Sequence, residues 1–261
     1  MPPVSIQRRG PVALLLLDNP PANALGSPVL AELADAVETL RTDDSRAVVL
    51  TGAGRFFSAG LDLFEVARLV TSPDAEKFAR LFDDVVTALF ALEKPVVAAI
   101  NGHAIAGGAV LASTADFRLI ADSELKMGLT EIQVGVAFPT SALEAVRFAC
   151  SGRHLPELLY RGQTYTPAEA VARGLADELV PAGELAERAL ALAEELAAAR
   201  PLAFASSKRA LRAEYLARIR AAAADGGGLD PIWHTWQTPD ALQAMAAFRE
   251  RTLRKKTGQG R

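Results

Sequence analysis

A single cysteine, Cys150, in 261 residues excludes an intrachain disulfide and suits a reducing compartment. It reads as a small buried hydrophobe on a helix rather than a reactive thiol. Histidine is nearly as scarce: His103, His154 and His234 lie far apart in sequence and show no metal-ligand spacing, so no metal is expected. An excess of charge of either sign is also missing. With a net charge of −3 there is no global field for nucleic acid or an anionic membrane, and neither is an expected partner. No apolar run approaches membrane-spanning length, and the initial MPPVSIQRRG has no apolar signal core. A cytoplasmic location is the expectation. Several motifs are absent too. Neither G-x-x-x-x-G-K-[ST] nor G-x-S-x-G occurs, and Gly52-x-Gly54 has Phe57 where a dinucleotide fingerprint needs its third glycine.

What is present is the composition of an ordinary globular protein, half hydrophobic and about a quarter charged, long enough for a sizeable core. Val4–Gln7, Val12–Asp18, Ala47–Thr51, Pro95–Ile100, Phe117–Ile120 and Ala176–Val180 read as strands. Helices are expected from Ser27, as N-cap, to Leu40, and over Phe64–Val70, Glu76–Leu92, Ser141–Cys150, Leu155–Tyr160 and Pro167–Arg173. Met127–Pro139 reads as a loop. From Leu185 onward the chain is alanine-rich and helical, punctuated by Pro201, with Gly226-Gly227-Gly228 as a hinge or loop and a helix from Pro239. Strand–helix alternation through the first two thirds predicts parallel strands with helical crossovers, an α/β class, followed by a helical end.

The chain is organised around Asn101–Ala115, NGHAIAGGAVLASTA, where an apolar strand leads through glycines into a helix. Such a turn aims free backbone N–H groups and a positive helix end at one spot. Thr51–Leu63, TGAGRFFSAGLDL, is a second stretch of the same kind. Two N–H sites converging on one oxygen stabilise charge on a carbonyl becoming an enolate or tetrahedral anion, at about 3–4 kcal/mol per donor in a dry site. A Cβ at Gly108 is expected to block that oxygen without unfolding the protein. Glu131, an acid in a largely apolar stretch, is expected to have a raised pKa and to exchange protons with carbon. His103 reads as space-filling. The basic tail Arg249, Arg251, Arg254, Lys255 and Lys256 reads as a solvated face, with a ligand phosphate as the alternative.

FFSAGLDL, KPVVAAINGHAIAGGAVLA, the Asp116 strand, GLTEIQVGVAFP and the later YRGQTYTPAEAVARGLADELVP together resemble the crotonase, or enoyl-CoA hydratase/isomerase, superfamily. The resemblance implies a spiral of ββα repeats over residues 1–198 and a helical C-terminal oligomerisation region, 199–261, that builds trimers or hexamers. It implies an acyl-CoA thioester as ligand, with coenzyme A entering as part of the substrate, no covalently bound cofactor, and a place in fatty acid metabolism. The oxyanion donors fall on the N–H groups of Leu61 and Gly108, the latter as the last glycine before the helix. Ala22, Ala24, Ala59, Gly60, Asp62 and Gly107 are implied on the substrate side, and Ile132, Val136 and Phe138 in the acyl pocket. The family's hydratases carry two glutamates; here Val110 stands at the first position and Glu131 at the second. One carboxylate resembles the Δ3,Δ2-enoyl-CoA isomerases, in which a single base moves a proton from C2 to C4. The alternatives are a hydratase or a catalytically weak acyl-CoA-binding protein.

Overall fold

The runs VALLLL, AVVLTG and VVAAI are apolar along nearly their whole length, the pattern of strands covered on both faces, and they form the middle of the main sheet. The computed structural model describes residues 2–150 and 152–256, excluding the side chains of Arg249 and 251–256. In chain order the elements are β1 (Val4–Arg9), β2 (Val12–Leu17), α1 (Ser27–Thr42), β3 (Ala47–Gly52), β4 (Phe56–Ser58), α2 (Leu63–Leu69), α3 (Ala75–Ala91) and β5 (Val96–Ile100). Then follow β6 (His103–Ile105), α4 (Gly107–Ser113), β7 (Phe117–Asp122), β8 (Met127–Gly128), α5 (Thr140–Ala149), α6 (Leu155–Arg161) and α7 (Pro167–Ala172). The chain ends in β9 (Glu178–Pro181), α8 (Leu185–Ala197), α9 (Pro201–Asp225) and α10 (Pro239–Lys256).

The long strands form a sheet in the order β1-β2-β3-β5-β7-β9, antiparallel only at β1–β2. The short strands form a second, parallel sheet, β4-β6-β8. Each turn of the chain therefore lays down a long strand, a short strand and helix, which is the expected ββα spiral. α8 packs over β2, β3, β5 and β7, and α3 lies against α1, α5 and α9. The same staple recurs between turns. Asp116, just before β7, accepts the N–H of Val96 on β5 (2.8 Å), and Asp177, just before β9, accepts that of Arg118 on β7 (2.7 Å).

Local readings differ from the structure in four places. β4 and β6 were not foreseen, because three-residue strands carry no readable period. Met127–Pro139 is not a plain loop: it opens with β8 and continues in a 3-10 turn, Glu131–Val134. Ser27 does not cap α1. Gly26 is the N-cap, and the Glu65 carboxylate on α2 accepts both the N–H (2.9 Å) and the hydroxyl (2.7 Å) of Ser27. Gly226–Gly228 closes α9 rather than hinging it, with Gly228 N–H donating to Ala223 (2.7 Å); Leu229 and Asp230 beyond it are buried, entering a 3-10 helix over Pro231–Gln237.

α9 is fixed to the sheet by a buried ion cluster. Asp116 accepts from Lys208 Nζ (2.6 Å) and Arg212 Nη2 (2.7 Å), and Arg212 Nη1 donates to the carbonyls of Phe90 (2.5 Å) and Thr114 (3.0 Å). The Arg212 guanidinium sits 4.3 Å from the Phe90 ring centre and 4.6 Å from that of Phe148. Removing the shared anion strands two cations out of water. Asp116→Asn is therefore expected to cost about 3–5 kcal/mol of stability, read as a shift in the urea midpoint; a loss below about 1 kcal/mol would show that the cluster is not what holds α9.

Candidate active site

The turn after β2 and the stretch after β4 are sewn together by their backbones. Ala59 N–H donates to Ala22 (2.9 Å), Leu25 N–H to Gly60 (2.8 Å) and Asp62 N–H to Leu25 (3.2 Å). Asn23 orders the turn from inside at φ +50°, its amide donating to the carbonyls of Ala53 (3.1 Å) and Phe56 (2.8 Å). Ala24 is held through its carbonyl by the Asn19 amide (2.9 Å). The Asp62 carboxylate is occupied as the N-cap of α2, accepting from Phe64 and Glu65 N–H. Within this lattice the N–H of Leu61 donates to no protein group among the described residues.

Across from it, β6 runs into α4 through Ala106, an alanine at φ +49°, ψ −122°. Such a conformation costs on the order of 1–3 kcal/mol and persists only where its surroundings impose it. Here Ala106 N–H donates to Gly128 (2.8 Å), and its carbonyl accepts the N–H of Val110 (3.0 Å). Gly107 and Gly108 are the first two residues of α4, too early for helical acceptors, so their N–H groups are free among the described residues. Gly108 is thus inside the helix rather than before it.

The two glycines answer different constraints. A Cβ on Gly107 would lie 3.4 Å from Leu61 N, in the space between the two N–H stretches. A Cβ on Gly108 would lie 2.1 Å from the Ser58 carbonyl oxygen, against backbone and away from that space. A side chain at Gly108, expected from sequence to stand in a ligand's way, instead meets the Ser58 backbone, which would have to shift to admit it.

A cleft of about 90 Å³ opens beside this pair of segments, lined by Ala59, Leu61 and Gly107 on one side and by Glu131, Val134 and Val136 on the other. Among the described residues, Glu131 is the single acid or base whose side chain lines it. Its carboxyl is buried, and Oε2 has no hydrogen-bond partner among the described residues. Burial pushes its pKa up to about 8, only partly opposed by a hydrogen bond from its own backbone N–H. Val110 is buried in α4.

Of the three expected acyl-pocket residues, only Val136 lines the cleft. Ile132 is half-exposed, turned towards Gly162 on the outside of the 3-10 turn, and Phe138 packs at the edge of the core. In a four-residue 3-10 turn, neighbouring side chains face different ways. The large apolar side chains that do line the cleft include Phe82, Trp236 and Phe248, brought from α3, the 3-10 helix Pro231–Gln237 and α10. The one available signal was that the chain's two tryptophans, Trp233 and Trp236, stand three positions apart in a segment of weak helical pattern.

His103 is structural: its Nδ1 accepts the Lys126 N–H (3.0 Å) and its ring lies against Phe56. Cys150 is buried, its thiol pushed up to about 11, and inert. Among the described residues there is no cluster of His, Cys, Asp and Glu suited to a metal, and no helix long and apolar enough to cross a membrane. The side chains of the basic tail lie outside the described residues.

A family model described as enoyl-CoA hydratase/isomerase matches residues 7–255. A probable enoyl-CoA hydratase of Mycolicibacterium paratuberculosis is 35% identical over 232 residues, 88% of this chain and 90% of that protein. A putative enoyl-CoA hydratase of Thermus thermophilus is 36% identical over 254 residues, 93% of this chain and 96% of that one. Among solved structures, human mitochondrial Δ3,Δ2-enoyl-CoA isomerase superposes with a TM-score of 0.88 at 28% identity, covering 97% of this chain and 99% of that one.

Two alanine variants separate the glycines. Gly108→Ala is expected to melt far lower or fail to accumulate folded, whereas Gly107→Ala stays folded with a melting temperature within a few degrees of wild type. Equal losses in paired thermal melts would refute the distinction.

Proposed function

The chain belongs to the enoyl-CoA hydratase/isomerase family and is an enzyme of it, and from that membership we propose that it shifts the double bond of a 3-enoyl-CoA to the 2-position with Glu131 as its one proton carrier. The ligand is an acyl-CoA thioester, and the proposal asks for no cofactor beyond the coenzyme A that the substrate carries. The thioester oxygen sits between the N–H groups of Leu61 and Gly108. The Glu131 carboxylate removes a proton from C2, and the electron pair delocalises into a dienolate whose charge rests on that oxygen. The carboxylic acid so formed returns the proton at C4, leaving the double bond between C2 and C3 and the enzyme unchanged.

The observation that carries this reading is that Glu131 stands alone in its cleft among the described residues; it is supported by Val110, buried in α4 at the position where the resemblance to the family's hydratases implies their other glutamate. Activating water for addition to a double bond takes a group to accept its proton and one to deliver a proton to carbon. Moving a proton along one substrate takes a single group acting twice. The raised pKa fits this double use, because a base and its conjugate acid are both accessible near neutrality when the pKa is about 8. Val136, Val134 and Phe82 keep the carboxyl dry, which raises its basicity and strengthens the N–H contacts to the enolate.

The deciding experiment supplies 3-enoyl-CoA and 2-enoyl-CoA separately and follows product by mass and absorbance. Conversion of the first without water uptake by the second is expected; rapid hydration of the second would replace the isomerase reading with a hydratase. Glu131→Gln should abolish turnover while acyl-CoA affinity stays within a few fold, since the amide keeps the shape but carries no proton. Because Glu131 must be ionised to start, kcat/KM should rise about tenfold per pH unit below pH 8 and level above it. A rate that instead falls as pH passes 8 would mean that the neutral acid is the working form. In Gly107→Ala, a methyl 3.4 Å from Leu61 N crowds the oxygen, and a loss on the order of 100-fold in kcat is expected.

We further propose that residues 199–261 form the oligomerisation region and that the working unit is a homotrimer or a hexamer. Leu202 (76% exposed) and Leu211 (66% exposed) on α9 support this, being large apolar side chains left open in one chain. Sedimentation at micromolar concentration should show a trimer or its multiple, and a monomer would exclude it.

A further inference from the structure

The groove that holds the cleft continues past it. Leu63 on α2 and Phe82 on α3 line the cleft; Val66 and Phe78, one turn along the same helices, line a second cavity of about 140 Å³. Spacings of three and four residues keep each pair on one helix face, so the two hollows follow one another between α2 and α3. Both are bounded by the 3-10 helix Pro231–Gln237, and Trp236 lines both. Its ring is buried and fixed: Nε1 donates to the Ala137 carbonyl (2.9 Å), and the ring centre lies 4.6 Å from that of Trp233. Trp233 is anchored in turn, its Nε1 donating to Asp83 (2.8 Å), which also accepts from the Ser141 hydroxyl (2.5 Å). Trp233 stands edge-on to Phe82, 5.9 Å between centres.

We propose that Trp236 is the specificity-determining residue that ends the acyl site, its indole ring closing off a second, mainly apolar cavity that a longer chain would otherwise enter. This rests on reading the cleft as the acyl-CoA site and adds to it the residue that selects substrates by length. Up to the ring, each further methylene leaves water and is worth about fourfold in affinity. Beyond the ring an added methylene has no apolar space to occupy and the gain stops. With the ring cut back, the methylenes pass along the wall made by Val66, Leu69 and Phe78, in a space that Glu76, His234 and Gln237 also line.

The test is calorimetric binding of saturated butanoyl-, octanoyl- and hexadecanoyl-CoA to wild type, Trp236→Ala and Trp236→Phe. Saturated ligands make the readout independent of which reaction the enzyme performs. Wild-type affinity should climb from butanoyl to octanoyl and stop climbing before hexadecanoyl. In Trp236→Ala the ratio of hexadecanoyl to octanoyl affinity should rise by about tenfold or more. Trp236→Phe, which keeps a ring but loses the bond to Ala137, should keep the wild-type profile. An unchanged ratio in Trp236→Ala, or a wild-type affinity that climbs steadily to hexadecanoyl, overturns the proposal; the second result does so even if the alanine variant fails to fold. Absence of binding for every chain length would overturn the acyl-CoA reading itself, whereas binding blind to length overturns only the role of Trp236.

Discussion

Two stretches of backbone, Ser58–Leu61 and Ala106–Gly108, approach each other more closely than side chains allow, and the site is built on that contact. The Ser58 carbonyl fills the place of a Gly108 Cβ, and the nearest atoms to a Gly107 Cβ belong to Gly60 and Leu61. Each stretch follows a short strand of the second sheet, so the pairing of β4 with β6 brings them together. Ala106 absorbs the strain of the arrangement, held at positive φ by the hydrogen bond from its N–H to Gly128 on β8. Three successive turns of the spiral thereby contribute to one small volume.

The chemistry of that volume depends on dryness, and the dryness comes from far along the chain. Glu131 owes its raised pKa to burial rather than to a neighbouring charge. Trp236 and Phe248, more than a hundred residues later, help line the cleft in which it stands. α10 packs on the turn that follows Glu131, where a Gly135 Cβ would sit 3.1 Å from the Ala244 Cβ. The C-terminal helices are therefore part of the environment of Glu131 and its cleft.

Their attachment is electrostatic as well as apolar. Lys208 and Arg212 of α9 converge on Asp116, which also binds the first N–H of β5, so one carboxylate ties a sheet strand to the C-terminal region. Such a cluster is a costly way to gain stability, and its pairing pattern suits fixing the register of α9 against the sheet.

The class of fold was legible because its signals are local. Buried parallel strands are apolar runs, the helices carry their period, and the glycine-rich stretches with GLTEIQVG form an ordered pattern characteristic of the family. Glu131 stood out as an acid among apolar neighbours, and the structure accounts for its perturbed pKa. Four things were not legible. The short strands β4 and β6 exist only through pairing within the second sheet, with each other and, for β6, with β8. The cap of α1 comes from Glu65 on another helix. The direction of a Gly108 side chain depends on where Ser58 lies. The cleft beside Glu131 is lined by Trp236 and Phe248 and not by Ile132 and Phe138. Each of these depends on segments distant in the chain meeting in space. Sequence by itself determined which residues are apolar, which can bend and which can carry a proton; tertiary structure decided which way they face, because side-chain direction and desolvation are properties of packed neighbours rather than of spacing along the chain.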